Sequence, residues 1–325
     1  MKLAILGSGQ IVTDYLTMAG DLPDTDLVAI FGTEEAIPTM EAMSRKYGIR
    51  KIYTAYSECL MDQEIDTLYI GLPNHLHYSF TEEALLRGKN VICEKPFTLK
   101  LSEFTELRNI AKKNKLILLE AITTQYLSNY LAIKESVNHL GDLKIIECNY
   151  SQYSSRYNAF KKGEILPAFN PKAGGGALMD LNIYNIHFVV GILGKPTSVT
   201  YLANVERDID TSGILLLNYS TCKVACIGAK DSTAPIRTLI QGDKGSIVLN
   251  GPANVCDSFV LNMNDEDSQI IDNKIHPHRM YEEFCEFARM IKESDYTKAD
   301  YMLEQSQIVM EIVEKALVDA GIKLG

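Results

Sequence analysis

Four side chains in this sequence are of the types that move protons or stabilise developing charge, namely Lys95, Asp180, Tyr184 and His187. Lys95 stands in Val91-Ile92-Cys93-Glu94-Lys95-Pro96-Phe97, a short apolar run that stops in two opposite charges and a proline. Pro96 has no N–H to give to a ladder and pushes Lys95 towards extended or turn backbone, so a buried strand must end there. A lysine is thereby held at the carboxyl end of a central strand, the edge of an open α/β sheet where ligands bind. An ammonium so placed can donate to an oxygen that gains charge in a transition state. In isolation a Glu-Lys-Pro is commonly a solvated turn, and its neighbours decide between the two readings.

Asp180, Tyr184 and His187 fall at i, i+4 and i+7 of a stretch, residues 177–193, that reads as one helix. They form one stripe, and Leu181, Phe188 and Ile192 form the apolar stripe beside it. Gly174-Gly175-Gly176 directly before this helix allows close approach of another segment or a ligand. Two readings stand: an acid–base group, Tyr184 or His187, tuned by Asp180, or a buried polar network that satisfies itself.

The elements that must position these groups change character near residue 121. Before it, strand-like segments at 2–6, 27–31, 51–53, 67–70, 90–93 and 116–119 alternate with helical patterns at 11–19, 36–47, 75–87 and 102–114. That alternation predicts a doubly wound parallel sheet over residues 1–121. After it, strands at 143–149, 198–203, 213–219, 223–229, 238–241, 246–249 and 258–263 come with few helices between them. Residues 122–325 are therefore expected to form an α+β domain on a large, open, mainly antiparallel sheet, closed by helices at 281–292 and 299–320.

The first strand runs into Gly7-Ser8-Gly9-Gln10-Ile11-Val12 and opens a helix, the context in which backbone N–H groups cradle a pyrophosphate. Gly7, Gly9, Gln10 and Ile11 are the candidate phosphate-binding residues, with Val12 in place of the fingerprint's third glycine. The second strand ends at Gly32-Thr33, beside the expected adenosine ribose. It carries neither the acidic group that favours NAD nor the arginine that favours NADP. The fourth strand leaves through Leu72-Pro73-Asn74-His75-Leu76-His77, where Pro73 blocks pairing and Asn74 is expected to cap the next helix. His75 and His77 point different ways on a helix start, so no metal is expected.

The chain has 325 residues, 46 % of them hydrophobic and 23 % charged, with a formal net charge of −10. The acidic balance argues against nucleic-acid or anionic-membrane partners. No uninterrupted apolar run reaches the roughly 18 residues of a membrane helix. Seven scattered cysteines without framework spacing suggest reduced thiols and a cytoplasmic location.

Taken jointly, the glycine turn at 7–9, Leu72-Pro73-Asn74-His75-Leu76-His77, Glu94-Lys95-Pro96, and the run from Asn170 through Asp180 to Tyr184 resemble one family. It is that of the glucose-fructose oxidoreductases, inositol dehydrogenases and rhizopine-catabolism oxidoreductases. The resemblance implies an NAD(P)-dependent oxidoreductase that moves a hydride between nicotinamide and a secondary alcohol or ketone of a sugar, polyol or diol. The cofactor sits in the first domain and the small-molecule substrate against the second. Lys95, Asp180 and Tyr184 match the family's catalytic positions, Tyr184 as in its dihydrodiol dehydrogenase branch, and the Lys95-Pro96 bond matches a cis peptide. Leu72, Pro73, Asn74, His77, Glu94 and Lys95 join Gly32 and Thr33 around the cofactor; Lys95, Tyr184, His187 and Arg156 are the expected substrate contacts. A phenol ionises near 10, so Tyr184 needs a nearby ammonium. An open sheet of this kind implies a homo-oligomer. Gln125, Ser128 and Asn182 depart from the family's arginine, proline and glycine and leave a second reading open, a non-catalytic dinucleotide- and sugar-binding sensor.

Overall fold

The structure, a computed structural model, describes residues 1–325. In the first unit the chain runs β1 (Lys2–Leu6), α1 (Gln10–Met18), β2 (Asp26–Phe31), α2 (Ile37–Tyr47), β3 (Lys51–Tyr53), α3 (Tyr56–Met61) and β4 (Thr67–Ile70). It continues through α4 (His77–Leu86), β5 (Asn90–Glu94), α5 (Leu101–Asn114) and β6 (Leu118–Ala121). The six strands form one parallel sheet in the order β3-β2-β1-β4-β5-β6. Strands β1, β4 and β5 are buried almost end to end, which is why they read as apolar runs without alternation. The order reverses between β1 and β4, and the crevice beyond their carboxyl ends is where such sheets bind ligands.

The second unit contains α6 (Ser128–Ser136), β7 (Leu143–Ser151), α7 (Tyr157–Lys161), α8 (Ile183–Leu193), β8 (Ser198–Glu206), β9 (Ile209–Asn218) and β10 (Lys223–Ala229). The remaining strands are β11 (Arg237–Gly242), β12 (Gly245–Asn250), β13 (Phe259–Met263) and β14 (Gln269–Ile271). They form an eight-stranded sheet, β14-β13-β12-β11-β7-β10-β9-β8, in which the β7–β10 pair alone is parallel. One face is apolar and covered: Ile146, Cys148, Leu215, Leu217, Val224, Cys226 and Ile240 are all nearly inaccessible. Residues 171–193 hold an 18-residue window apolar enough to pass for a membrane span, but 72 % of that window is buried inside the protein.

The chain divides after Ala121, and a later segment returns to the first unit. The first unit comprises Met1–Ala121 together with Met280–Glu304; the second comprises Ile122–Arg279 and Gln305–Gly325. The cause lies in α9 (Tyr281–Glu293): Phe284 packs against Tyr15 of α1, ring centres 4.5 Å apart, and edge-on to Tyr69 of β4 at 5.1 Å, completing the core between them. Arg108 on α5 also pairs with Asp300, at 2.7 Å, on α10 (Tyr296–Asp319). The first turns of α10 thus belong with the first unit and the rest with the second.

Candidate active site

In the first unit, α1 starts at Gln10 after extended Gly9, with no side-chain cap and no acidic residue in its first turn. Its first N–H groups have no partner within the helix and point outward, a ready anion site. Gly7 is held at φ +110°, and a Cβ there would lie 2.5 Å from the Gly71 carbonyl oxygen. A Cβ on Gly9 would meet nothing within 4 Å, so the space above the turn is open for a phosphate. These residues fit a dinucleotide. Val12 is fully buried and opposes Gly71, whose own Cβ would come within 2.8 Å of Val12 Cγ2. The side chain missing from Gly71 makes room for the valine that replaces the fingerprint's last glycine. Gly32 leaves β2 beneath Met40, while Thr33 is exposed and starts a short 3-10 turn.

Two of the expected cofactor contacts have other partners. His77 is fully buried; Nδ1 lies 2.9 Å from the Pro96 carbonyl and Nε2 lies 2.8 Å from the Leu72 carbonyl. Its ring ties the turn after β4 to the turn after β5, and burial pushes the imidazole down from its ordinary range. A neutral imidazole donates to only one of these two carbonyls, and the buried ring sits between the two turns and helps to shape the site. Glu94 is also buried, and its Oε1 accepts the Tyr69 hydroxyl at 2.7 Å. Asn74 does not cap α4: it starts a 3-10 turn, and the helix begins three residues later with no side-chain cap. Lys95, half-buried, follows β5 at the cis Lys95-Pro96 bond.

In the second unit, the helix expected over residues 177–193 is not uniform. Leu178–Asn182 form a π turn, and α8 follows from Ile183. The wider turn shifts the phase of the residues around it, which breaks the expected stripe into different environments. The Asp180 side chain is 42 % exposed, Tyr184 is 9 % exposed beside the Tyr150 ring, and His187 is buried at 1 %. His187 is packed within the second unit, where its backbone carbonyl accepts the Gln125 amide at 2.6 Å.

A dense set of bonds holds the π turn. Asp210 Oδ2 accepts Leu178 N at 2.6 Å and the Tyr201 hydroxyl at 2.7 Å. Asn182 donates to the Cys226 carbonyl at 3.0 Å and accepts from Asn185 at 2.9 Å. Asn182 is therefore turned onto β10 and does not crowd the site; a Cβ on Gly228 would lie 2.8 Å from its Cβ, so this asparagine needs that glycine opposite. Lys230, immediately past β10, is 2 % exposed and donates to Asp180 Oδ2 at 2.7 Å and to the Ala168 carbonyl at 2.7 Å. Asp180 and Lys230 line a cleft of about 300 Å³ with Gln152, Ser154, Ser155 and Arg156. Arg156 is exposed on its rim.

The structure thus brings Asp180 and Arg156 to one cleft in the second unit and places Lys95 in the first. Lys230 was missed by sequence reasoning, although a signal existed. In β10 the inward residues are Val224, Cys226 and Gly228, and the next residue in that period-2 series is Lys230.

Residues 1–121 match the family model described as an oxidoreductase family with an NAD-binding Rossmann fold, and residues 130–248 match that of the GFO/IDH/MocA C-terminal domain. Among curated proteins, the scyllo-inositol 2-dehydrogenase (NADP(+)) IolU of Bacillus subtilis is 30 % identical, covering 99 % of this chain and 98 % of its own. A trans-1,2-dihydrobenzene-1,2-diol dehydrogenase of Xenopus tropicalis is 25 % identical over 99 % of this chain and 98 % of its own. Among solved structures, the 3-ketoreductase KijD10 of Actinomadura kijaniata with NADP and TDP-benzene shares the fold at a TM-score of 0.81. It has 18 % identity and covers 97 % of this chain and 98 % of that one. With both domains matched and the glycine turn, the Lys95 loop and the Asp180 helix on the fold that such enzymes use, this chain belongs to the GFO/IDH/MocA family and is an NAD(P)-dependent oxidoreductase.

Proposed function

We propose that the protein interconverts a secondary alcohol and its ketone on a polyhydroxylated small molecule, a sugar, a polyol or a related diol. The observation that carries this reading is the cleft of the second unit: a half-exposed carboxylate over a buried ammonium, ringed by amide, hydroxyl and guanidinium groups. Such a lining suits several hydroxyls at once and suits an apolar ligand poorly. The Bacillus subtilis relative is named for an inositol substrate and lends the same direction.

The bound dinucleotide supplies a nicotinamide carbon that accepts or gives the hydride. The chain would bind the phosphates through the N–H groups that open α1 and the ribose near Gly32 and Thr33. Lys95 would donate to the reacting oxygen and offset the negative charge it gains. Tyr184 would take the hydroxyl proton as the alcohol is oxidised and return it in the reverse direction. Asp180 would orient the substrate and balance charge in the cleft.

The departures that left a sensor open, Gln125 and Asn182, are committed to internal hydrogen bonds, which supports the catalytic reading. The outer face of the second sheet exposes Ile145, Leu202, Ile214 and Leu216, each at 40 % or more, and Leu202 and Ile214 are directly paired. An apolar patch of this kind supports assembly with a second copy through the sheet. The test is turnover of inositols, aldoses and cyclic diols with NAD and NADP, for the native enzyme and for Lys95→Met. Turnover that falls by about 10²–10³ in the variant is expected. Tight dinucleotide binding without turnover of any of these substrates would favour the sensor.

A further inference from the structure

A lysine ammonium that is 2 % exposed needs compensation, because a buried cation without a partner is far more costly than a buried amide. Lys230 is held at three points. Its Nζ lies 2.7 Å from Asp180 Oδ2, 2.7 Å from the Ala168 carbonyl, and 4.8 Å from the centre of the Phe169 ring. The segment carrying Ala168 and Phe169 is itself fixed, since Gly176 N donates to the Ala168 carbonyl at 3.1 Å and a Cβ on Gly175 would lie 2.8 Å from the Ala168 backbone. One ammonium therefore ties the end of β10, the 167–169 turn and the π turn together.

The pair is asymmetric. The Asp180 side chain is 42 % exposed in the cleft, while Lys230 lies beneath it. An ion pair that serves stability alone gains little from one solvated partner. A buried cation under an accessible carboxylate instead keeps that carboxylate ionised and fixes the direction of its oxygens.

We propose that Lys230 is a positioning residue of the reaction, which holds the Asp180 carboxylate charged and oriented at the floor of the substrate cleft. The proposal rests on the reading of Asp180 as part of the reactive site. Lys230 acts through Asp180 and need not touch substrate. Other charged or titratable groups near the pair include Asp210 on β9, Asp231 next to Lys230, Tyr184 four residues after Asp180, and Tyr153 and Arg156 from the segment after β7. Asp231 is engaged by Thr211 and Ser212, each at 2.7 Å. Asp210 is engaged by Tyr201 and Leu178, so neither carboxylate replaces Asp180 as the near partner.

The test compares Lys230→Met, Asp180→Asn and the double variant of the full chain, with kcat followed against pH at saturating cofactor and substrate. Lys230→Met is expected to lower kcat about ten- to a hundredfold, within the usual worth of a proton-transfer arrangement. The acid limb of its profile should move to higher pH, and affinity for the dinucleotide should stay within about twofold. If Lys230 acts through Asp180, the double variant is no slower than Asp180→Asn alone. Multiplying losses, or an unchanged kcat and profile in Lys230→Met, overturn the proposal; a lower melting temperature alone does the same. Lys230→Gln, which keeps a donor for Ala168, takes its place should Lys230→Met not fold. If the native enzyme turns over no substrate, the functional reading fails separately, and Lys230 is judged by the carboxyl resonance of Asp180. Its titration must move to higher pH in the variant, and a stationary one overturns the proposal.

Discussion

Asp210 offers a measurement whose sign and size both follow from the structure. Its side chain is fully buried and accepts from Leu178 N and the Tyr201 hydroxyl through Oδ2, while Oδ1 has no hydrogen-bond partner. Burial pushes its pKa from 3.8 up to about 6, against the opposing pull of those bonds and of Lys230. Between these two pH values the folded chain binds a proton that the unfolded chain has lost. Stability from this group is therefore full below the lower value and declines as pH rises through the higher one. At about 1.4 kcal/mol per pH unit of separation, the whole decline is about 3 kcal/mol, of which about 2 falls between pH 4.5 and 7.5. Asp210→Asn keeps an acceptor for Leu178 and Tyr201 and removes the titration. It also places amide protons where Oδ1 now lies, a cost of about 1–3 kcal/mol that does not vary with pH. The assay is urea unfolding of both proteins near pH 4.5 and near pH 7.5. The native protein should lose about 2 kcal/mol relative to the variant as pH rises. An offset that stays constant with pH would refute the argument that burial raises the pKa of Asp210.

Three other outcomes are expected. Gly9→Val places its side chain in the open space above α1, so it should abolish fluorescence enhancement of NADH and NADPH while leaving the melting temperature near native; retained enhancement of both would show that the dinucleotide binds elsewhere. Tyr184→Phe should lower kcat by about 10²–10⁴ and remove a limb of the pH profile, whereas His187→Asn should keep that limb; the reverse pattern would assign the proton to the histidine. Gly228→Ala sets a methyl 2.8 Å from Asn182 Cβ and should cost about 1–3 kcal/mol in chemical unfolding, and adding Asn182→Gly should recover much of it; a loss that is simply additive would deny the contact.

The first unit was largely legible because local signals and the global fold agree there. Strands at 2–6, 51–53 and 67–70 lie at the expected residues, the first and last because short apolar runs ending in Gly7 and Gly71 leave little choice. The roles of His77 and Glu94 were not legible: a polar residue beside a ligand turn reads as a ligand contact until its partner is known. Those partners, Leu72, Pro96 and Tyr69, are set by tertiary packing. In the second unit the helix at 177–193 was found by its apolar stripe. The π turn within it could not be, because one extra residue per turn leaves composition unchanged. Helix α6 and strand β14 were missed for want of periodicity, the latter being three residues long. Lys230 was hidden by the habit of assigning lysines to the surface.

The return of residues 280–304 to the first unit has a consequence for synthesis. A ribosome emits the whole parallel sheet by residue 121, yet Tyr15 and Tyr69 keep an uncovered flank until Phe284 emerges. More than half of the polypeptide is made in that interval. Chains grow at about 5–20 residues per second, so the nascent sheet waits many seconds with aromatic surface open to chaperones or to neighbouring chains. A fragment ending at residue 121 inherits that condition permanently. The nucleotide-binding half of this enzyme is thus contiguous in its motifs but not in the sequence that completes its core.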